Sequence, residues 1–233
     1  MIGAIKFTIH GQRLPEGFFR FGELVAVPKD QAEVAEVGRH LGMFLYRTKA
    51  FAEAEQLFRK ALEVNRKLLG EEHPEVAANF SNLGLVLRDS GKLPEAEEAF
   101  RQTLAMDRKF YGPDHPYYAN TLVNLAALQV RMGKYDEAEK NFNEGIGIRV
   151  KVFGEDHSDT AAARSLLGGC LTKEGKYAQA ERLLTKSLEI IKKQFGQEHP
   201  RTQAALRRVV ELYEAWGKPK QAAVYKAGLK GNK

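Results

Sequence analysis

Between Glu75 and Asp89 the apolar residues Val76, Phe80, Leu83 and Leu87 recur at three- and four-residue steps, with Gly84 among them and polar residues between. That spacing lines them along one face of a helix, here named A. After Gly91, the segment PEAEEAFRQTLAMDRKFYG sets Ala96, Phe100, Leu104 and Phe110 or Tyr111 on a second stripe. Glu97 stands four residues before Arg101 on its outer face, a spacing that supports an isolated helix. This predicts a second helix, B. Gly91 closes helix A and Gly112 closes helix B, since glycine enters the left-handed conformation at little cost.

The same pattern returns every 42 residues. GEEHP (Gly70 to Pro74), GPDHP (Gly112 to Pro116), GEDHS (Gly154 to Ser158) and GQEHP (Gly196 to Pro200) are in constant phase with Gly91-Lys92, Gly133-Lys134, Gly175-Lys176 and Gly217-Lys218. Ala54, Ala96, Ala138, Ala180 and Ala222 extend the array one unit earlier. Proline suits the first turn of a helix, where its missing N–H would have no partner, and it drives the preceding histidine out of helical conformation. So each motif ends one helix and starts the next. Where Ser158 replaces the proline, Ser158 or Asp159 is expected to cap the helix instead.

Helix pairs with A-x-x-x-F spacing in helix B (Ala96 to Phe100, Ala138 to Phe142) and Leu83-Gly84 in helix A resemble the tetratricopeptide repeat. The 42-residue step, the G-x-x-H-P opening, Asn82-Leu83, Asn124-Leu125 and the run from Gly133 to Glu139 are similar to the kinesin light chain type, whose arrays also occur in bacterial signalling proteins. The resemblance implies an all-α fold, a right-handed α-solenoid of antiparallel helix pairs, with helix A residues lining a concave wall. The units drawn are 31–72, 73–114, 115–156, 157–198 and 199–228, followed by a basic tail, 229–233. Atypical end units are expected, because each faces water on one side.

Residues 1–30 do not follow the repeat. Ile5, Phe7 and Ile9 alternate, and Phe18, Phe19, Phe21, Leu24 and Val25 form an apolar cluster. The expectation is a cap on the first helices. A sharper alternative sets LPEGFF in the groove of its own or a neighbouring molecule, which makes a homo-oligomer possible through residues 1–30.

Composition narrows the function. At 43% hydrophobic and 28% charged, the chain reads as folded and soluble. No segment approaches the ~18 to 20 apolar residues of a membrane span, and the start lacks a secretory-signal pattern. One cysteine, Cys170, excludes an internal disulfide framework and fits a reducing, cytoplasmic setting. The net charge of +6 is carried by residues 218–233, with five lysines and no acid; the rest holds 31 basic and 30 acidic side chains. Without a basic face, nucleic acid is not the expected partner.

The acid-histidine motifs suggest catalysis or metal binding only until their spacing is considered. His73, His115, His157 and His199 fall one per unit, so they do not converge on a reacting atom or a shared metal. No phosphate loop, H-E-x-x-H or G-x-S-x-G motif is present, and Gly145-Ile146-Gly147 lacks a third glycine. No catalytic residue, metal or cofactor is expected. Cys170 aligns with Val86, Leu128 and Leu212 and reads as a buried apolar position.

The candidate site is the inner wall. One helix A column is His40, Asn82, Asn124, Leu166 and Arg208, and a second is Arg47, Asp89, Arg131, Lys173 and Ala215. The resemblance assigns the hold on a ligand's main chain or carboxylate to Asn82 and Asn124. A side-chain amide donates and accepts at once, matching an extended peptide backbone. Arg47, Arg131, Lys173 and Arg208 would favour acidic ligand groups through charge-assisted bonds. The expected function is therefore a non-enzymatic scaffold binding an extended, acidic peptide segment of a protein partner. The alternative is an oligomerisation module using the N-terminal segment or the convex face.

Overall fold

The computed structural model describes residues 31–230, and every regular element among them is an α-helix. The A helices are α1 (Gln31–Arg47), α3 (Pro74–Asp89), α5 (Pro116–Arg131), α7 (Ser158–Lys173) and α9 (Pro200–Ala215). The B helices are α2 (Phe51–Leu69), α4 (Leu93–Tyr111), α6 (Tyr135–Phe153), α8 (Tyr177–Phe195) and the short α10 (Pro219–Lys226). Each helix packs on the next in sequence. The backbones of successive A helices also approach one another, whereas those of successive B helices stay apart and are joined by long side chains such as Arg59 and Glu95. A stack whose A edges stay in contact while its B edges splay apart must curve, with the A helices inside. The result is an α-solenoid with a wall of A helices on its concave side. The cap and pseudo-ligand expected of residues 1–30 lie outside the described residues.

The stripes read from periodicity become the core. Phe58, Phe100 and Phe142 occupy one column and are fully buried, with Leu184 continuing it. Each contributes roughly 1.5 to 3 kcal/mol by leaving water. The glycine of Leu83-Gly84 exists because of this column, for a Cβ on Gly84 would stand 2.8 Å from the Phe100 ring. Gly168 faces Leu184 in the same way. Close packing likewise accounts for Gly145, whose Cβ would lie 3.1 Å from the Ala119 carbonyl oxygen, but not for Gly147, which faces open space.

The turn from B to A uses a conformation more restrictive than expected. Gly112 has φ 89 and ψ 166, and Gly70, Gly154 and Gly196 match it closely. This is not the left-handed helical region but the extended mirror region, which is essentially reserved for glycine. Three residues on, the histidine caps the next helix. Nδ1 of His73, His115, His157 and His199 accepts the backbone N–H of Glu75, Tyr117, Asp159 and Arg201, at 3.2 Å each time. The cap before Ser158 therefore falls on His157 and not on Ser158 or Asp159. Three of these rings also stack on an aromatic four residues back: Tyr111–His115, Phe153–His157 and Phe195–His199, with centroids 4.6 to 4.8 Å apart.

The lysine after three of the four A-to-B glycines ties one unit to the previous one, while Lys218 lies over the Trp216 ring instead. Lys92 reaches Glu55 at 3.0 Å, Lys134 reaches Glu97 at 2.8 Å and Lys176 reaches Glu139 at 2.8 Å. Each lysine opens a B helix and each partner belongs to the preceding B helix, so the pairs span the splayed outer edge. The lysine ends stay solvated while the Glu55 and Glu97 ends are largely buried, and the pairs fix the register between successive B helices.

Candidate functional site

Four positions per A helix line the inner wall, because both flanking faces are taken up by the two neighbouring B helices. In α3 these positions hold Ala78, Asn82, Leu85 and Asp89, and in α5 they hold Asn120, Asn124, Ala127 and Arg131. The α7 equivalents are Ala162, Leu166, Gly169 and Lys173. The expected site residues thus share one surface, but they do not share one state.

Asn82 and Asn124 stand at equivalent positions on adjacent helices, each part-buried, and neither amide hydrogen-bonds to any described residue. Both can donate and accept. Asn79, less than one turn before Asn82, is the contrasting case: it is fully buried between helices, and neither amide atom has a partner among the described residues.

Arg131 is committed to the scaffold. Its Nη1 donates to the Arg88 carbonyl at 2.7 Å and pairs with Asp89 at 3.3 Å, bridging α3 and α5. Asp89 also accepts from the Tyr46 hydroxyl at 2.7 Å and from Arg88 at 2.8 Å. Burial works against the Asp89 charge, yet the bonds from Arg88 and Tyr46 outweigh it and hold the carboxyl below its ordinary value. Burial and the same carboxylate raise Tyr46. This network crosses three A helices and was not anticipated. Its signal was Asp89 itself, the lone acid in a column that otherwise holds three bases and Ala215.

Arg208 differs again. Its stem lies across Gly169, with Cδ 3.5 Å from where a Cβ there would stand, and its Nη1 makes only a long, 3.5 Å contact with Ser165 Oγ. Burial pulls the guanidinium below its ordinary value, opposed by the charge of Glu211. Among the described residues it has no carboxylate within ion-pair distance. Lys173 and Arg47 are exposed and also make no ion pair with a described residue. The wall therefore offers two free amides in its middle, a desolvated guanidinium over a glycine toward one end, and solvated cations beside them.

Two departures in the fourth unit are explained locally. Arg164 replaces an apolar residue and folds onto Glu155, bonding its carbonyl at 2.9 Å and its carboxylate. Cys170 is fully buried, and burial pushes its thiol up to about 12, which leaves it protonated and inert. No three His, Cys, Asp or Glu side chains among the described residues are arranged to hold a metal ion. No described helix is long and apolar enough to cross a membrane.

The helix pairs, the 42-residue step and the inner wall of A helices define a class, and comparison with known proteins gives its name. The tetratricopeptide repeat model matches residues 32–109, 77–151, 117–193 and 159–225, and the chain belongs to that family. Among solved structures, the fold is similar to the nearly identical TPR-like repeats of a putative kinesin light chain from Podosopora anserina. That match has 22% identity and a TM-score of 0.69, covering 86% of this chain and 94% of that one. It is also similar to BtubC (BKLC) from P. vanneervenii, at 20% identity and TM-score 0.70, over 91% of this chain and 84% of that one. A Rap protein complexed with competence and sporulation factor matches at 17% identity and TM-score 0.76, over 91% of this chain and 57% of that one. No curated protein matches the chain.

Proposed function

We propose that this chain is a non-enzymatic scaffold of the cytoplasm that holds an extended, acidic segment of a partner protein along its concave wall. The observation that carries this is the pair of unspent amides, Asn82 and Asn124, aligned on adjacent A helices. Two amides one repeat apart match the alternating donors and acceptors of an extended main chain. Arg208, Lys173 and Arg47 select acidic groups, because each is a cation without a carboxylate partner among the described residues, and the desolvated Arg208 gains most from acquiring one. Arg131 is reassigned from ligand contact to wall architecture, since Asp89 holds it. A similarly folded Rap protein, solved with competence and sporulation factor, makes ligand binding by such a scaffold a natural reading.

An array of acidic peptides probed with the whole chain tests this. Replacing Asn82 and Asn124 together with alanine should weaken binding by ~tenfold, from two hydrogen bonds of about 0.5 to 1.5 kcal/mol each, with helicity unchanged. Unaltered binding would place the site elsewhere.

A further inference from the structure

An apolar row runs along the edge of the array where B helices end and A helices begin. Leu68 and Leu69 end α2, Phe110 stands in the last turn of α4, Val152 and Phe153 end α6, and Tyr117 opens α5. All six side chains are between 40% and 59% exposed. Leu68, Phe110 and Val152 hold one repeat position, so they form a row, and Gln194 ends it at the next step. Its middle is aromatic, with the Phe110 and Tyr117 rings both packed edge-on against Tyr111 at 4.9 and 5.1 Å. Large exposed apolar patches on soluble proteins mark contact sites.

The flanking charges are already paired within the chain: Lys67 with Glu63, Lys109 with Glu72, and Lys151 with Asp114. Both signs alternate along the row, and no single-sign field opposes the approach of an identical surface. The apolar character is also balanced about the centre. Leu68 and Leu69 lie one repeat before Phe110, and Val152 and Phe153 lie one repeat after it.

We propose that this edge is a self-association surface occupied by a second copy of the chain, docked antiparallel about a two-fold axis through Phe110 and Tyr117. A two-fold rotation brings Leu68 and Leu69 of each copy onto Val152 and Phe153 of the other, which is the self-complementarity an isologous interface requires. Six half-exposed apolar side chains supply on the order of 400 to 600 Å². The neutralised lysine ladder supplies the polar rim of an interface of ~800 Å² per partner. This surface is separate from the concave wall and does not depend on what that wall binds.

Sedimentation and light scattering of the full chain over a concentration series test the proposal. The wild type should dimerise, and Phe110→Glu should weaken the dimer at least ~tenfold with the helical circular dichroism retained. In a Cys170→Ser background, Tyr117→Cys should cross-link to itself on oxidation, and Leu68→Cys should cross-link to Val152→Cys in a mixture more than either does alone. A chain monomeric at every concentration, or a dimer indifferent to Phe110→Glu, would overturn the proposal. Preferential Leu68→Cys self-linking would overturn the antiparallel register.

Discussion

His115 illustrates how a residue with an apparent chemical vocation can be fully employed by the fold. Its Nδ1 accepts the Tyr117 N–H and its ring stacks on Tyr111, so one side chain caps a helix and covers the turn before it. Because Nδ1 must carry the lone pair, this fixes the Nε2–H tautomer. Replacing His115 with alanine should cost about 1 kcal/mol, read as a lower urea midpoint, and asparagine should restore much of it by capping in the usual way. A variant as stable as wild type would remove the cap from the account. The recurrence of His-Pro was plain in the sequence, but the cap was not, because histidine is absent from the usual N-cap set. Arg131 is a related case. Repeat alignment places it on the inner wall, but only three-dimensional contact reveals that Asp89 one unit earlier has already claimed it.

At the scale of the element, periodicity carried most of the information. The stripe Ala96, Phe100 and Leu104 identified helix B, and Phe100 proved to be the buried centre of its unit. Boundaries were legible because glycine, histidine and proline punctuate every turn in the same order. What periodicity could not express was the backbone geometry at Gly112, whose ψ of 166 lies outside the left-handed helical region. That conformation has a measurable consequence. Gly112→Ala should destabilise by roughly 1 to 3 kcal/mol despite open space around its missing Cβ, because the penalty comes from the backbone alone. Gly147→Ala is the internal comparison: the position is helical and equally uncrowded, and alanine there should be stabilising by about 1 kcal/mol. Thermal or urea melts of the two variants shifting in the same direction would contradict this geometry.

Over the whole molecule, the contacts between A helices and the gaps between B helices turn a one-dimensional repeat into a curved wall. The Lys-Glu pairs linking successive B helices carry the register along the outside, while Tyr46, Asp89, Arg88 and Arg131 lock the inside across α1, α3 and α5. The middle of that wall is left with two uncommitted amides, and the far end with Arg208 over Gly169. Cross-unit networks of this kind were the least legible feature, since each depends on residues 37 to 43 apart whose partnership only the superhelix decides. The most direct test of the proposed groove is side-chain amide NMR of the asparagines during titration with an acidic peptide taken from the array. The Asn82 and Asn124 amide resonances should shift together and saturate with the peptide while those of buried Asn79 stay in place; saturable binding that leaves both unmoved would contradict the claim.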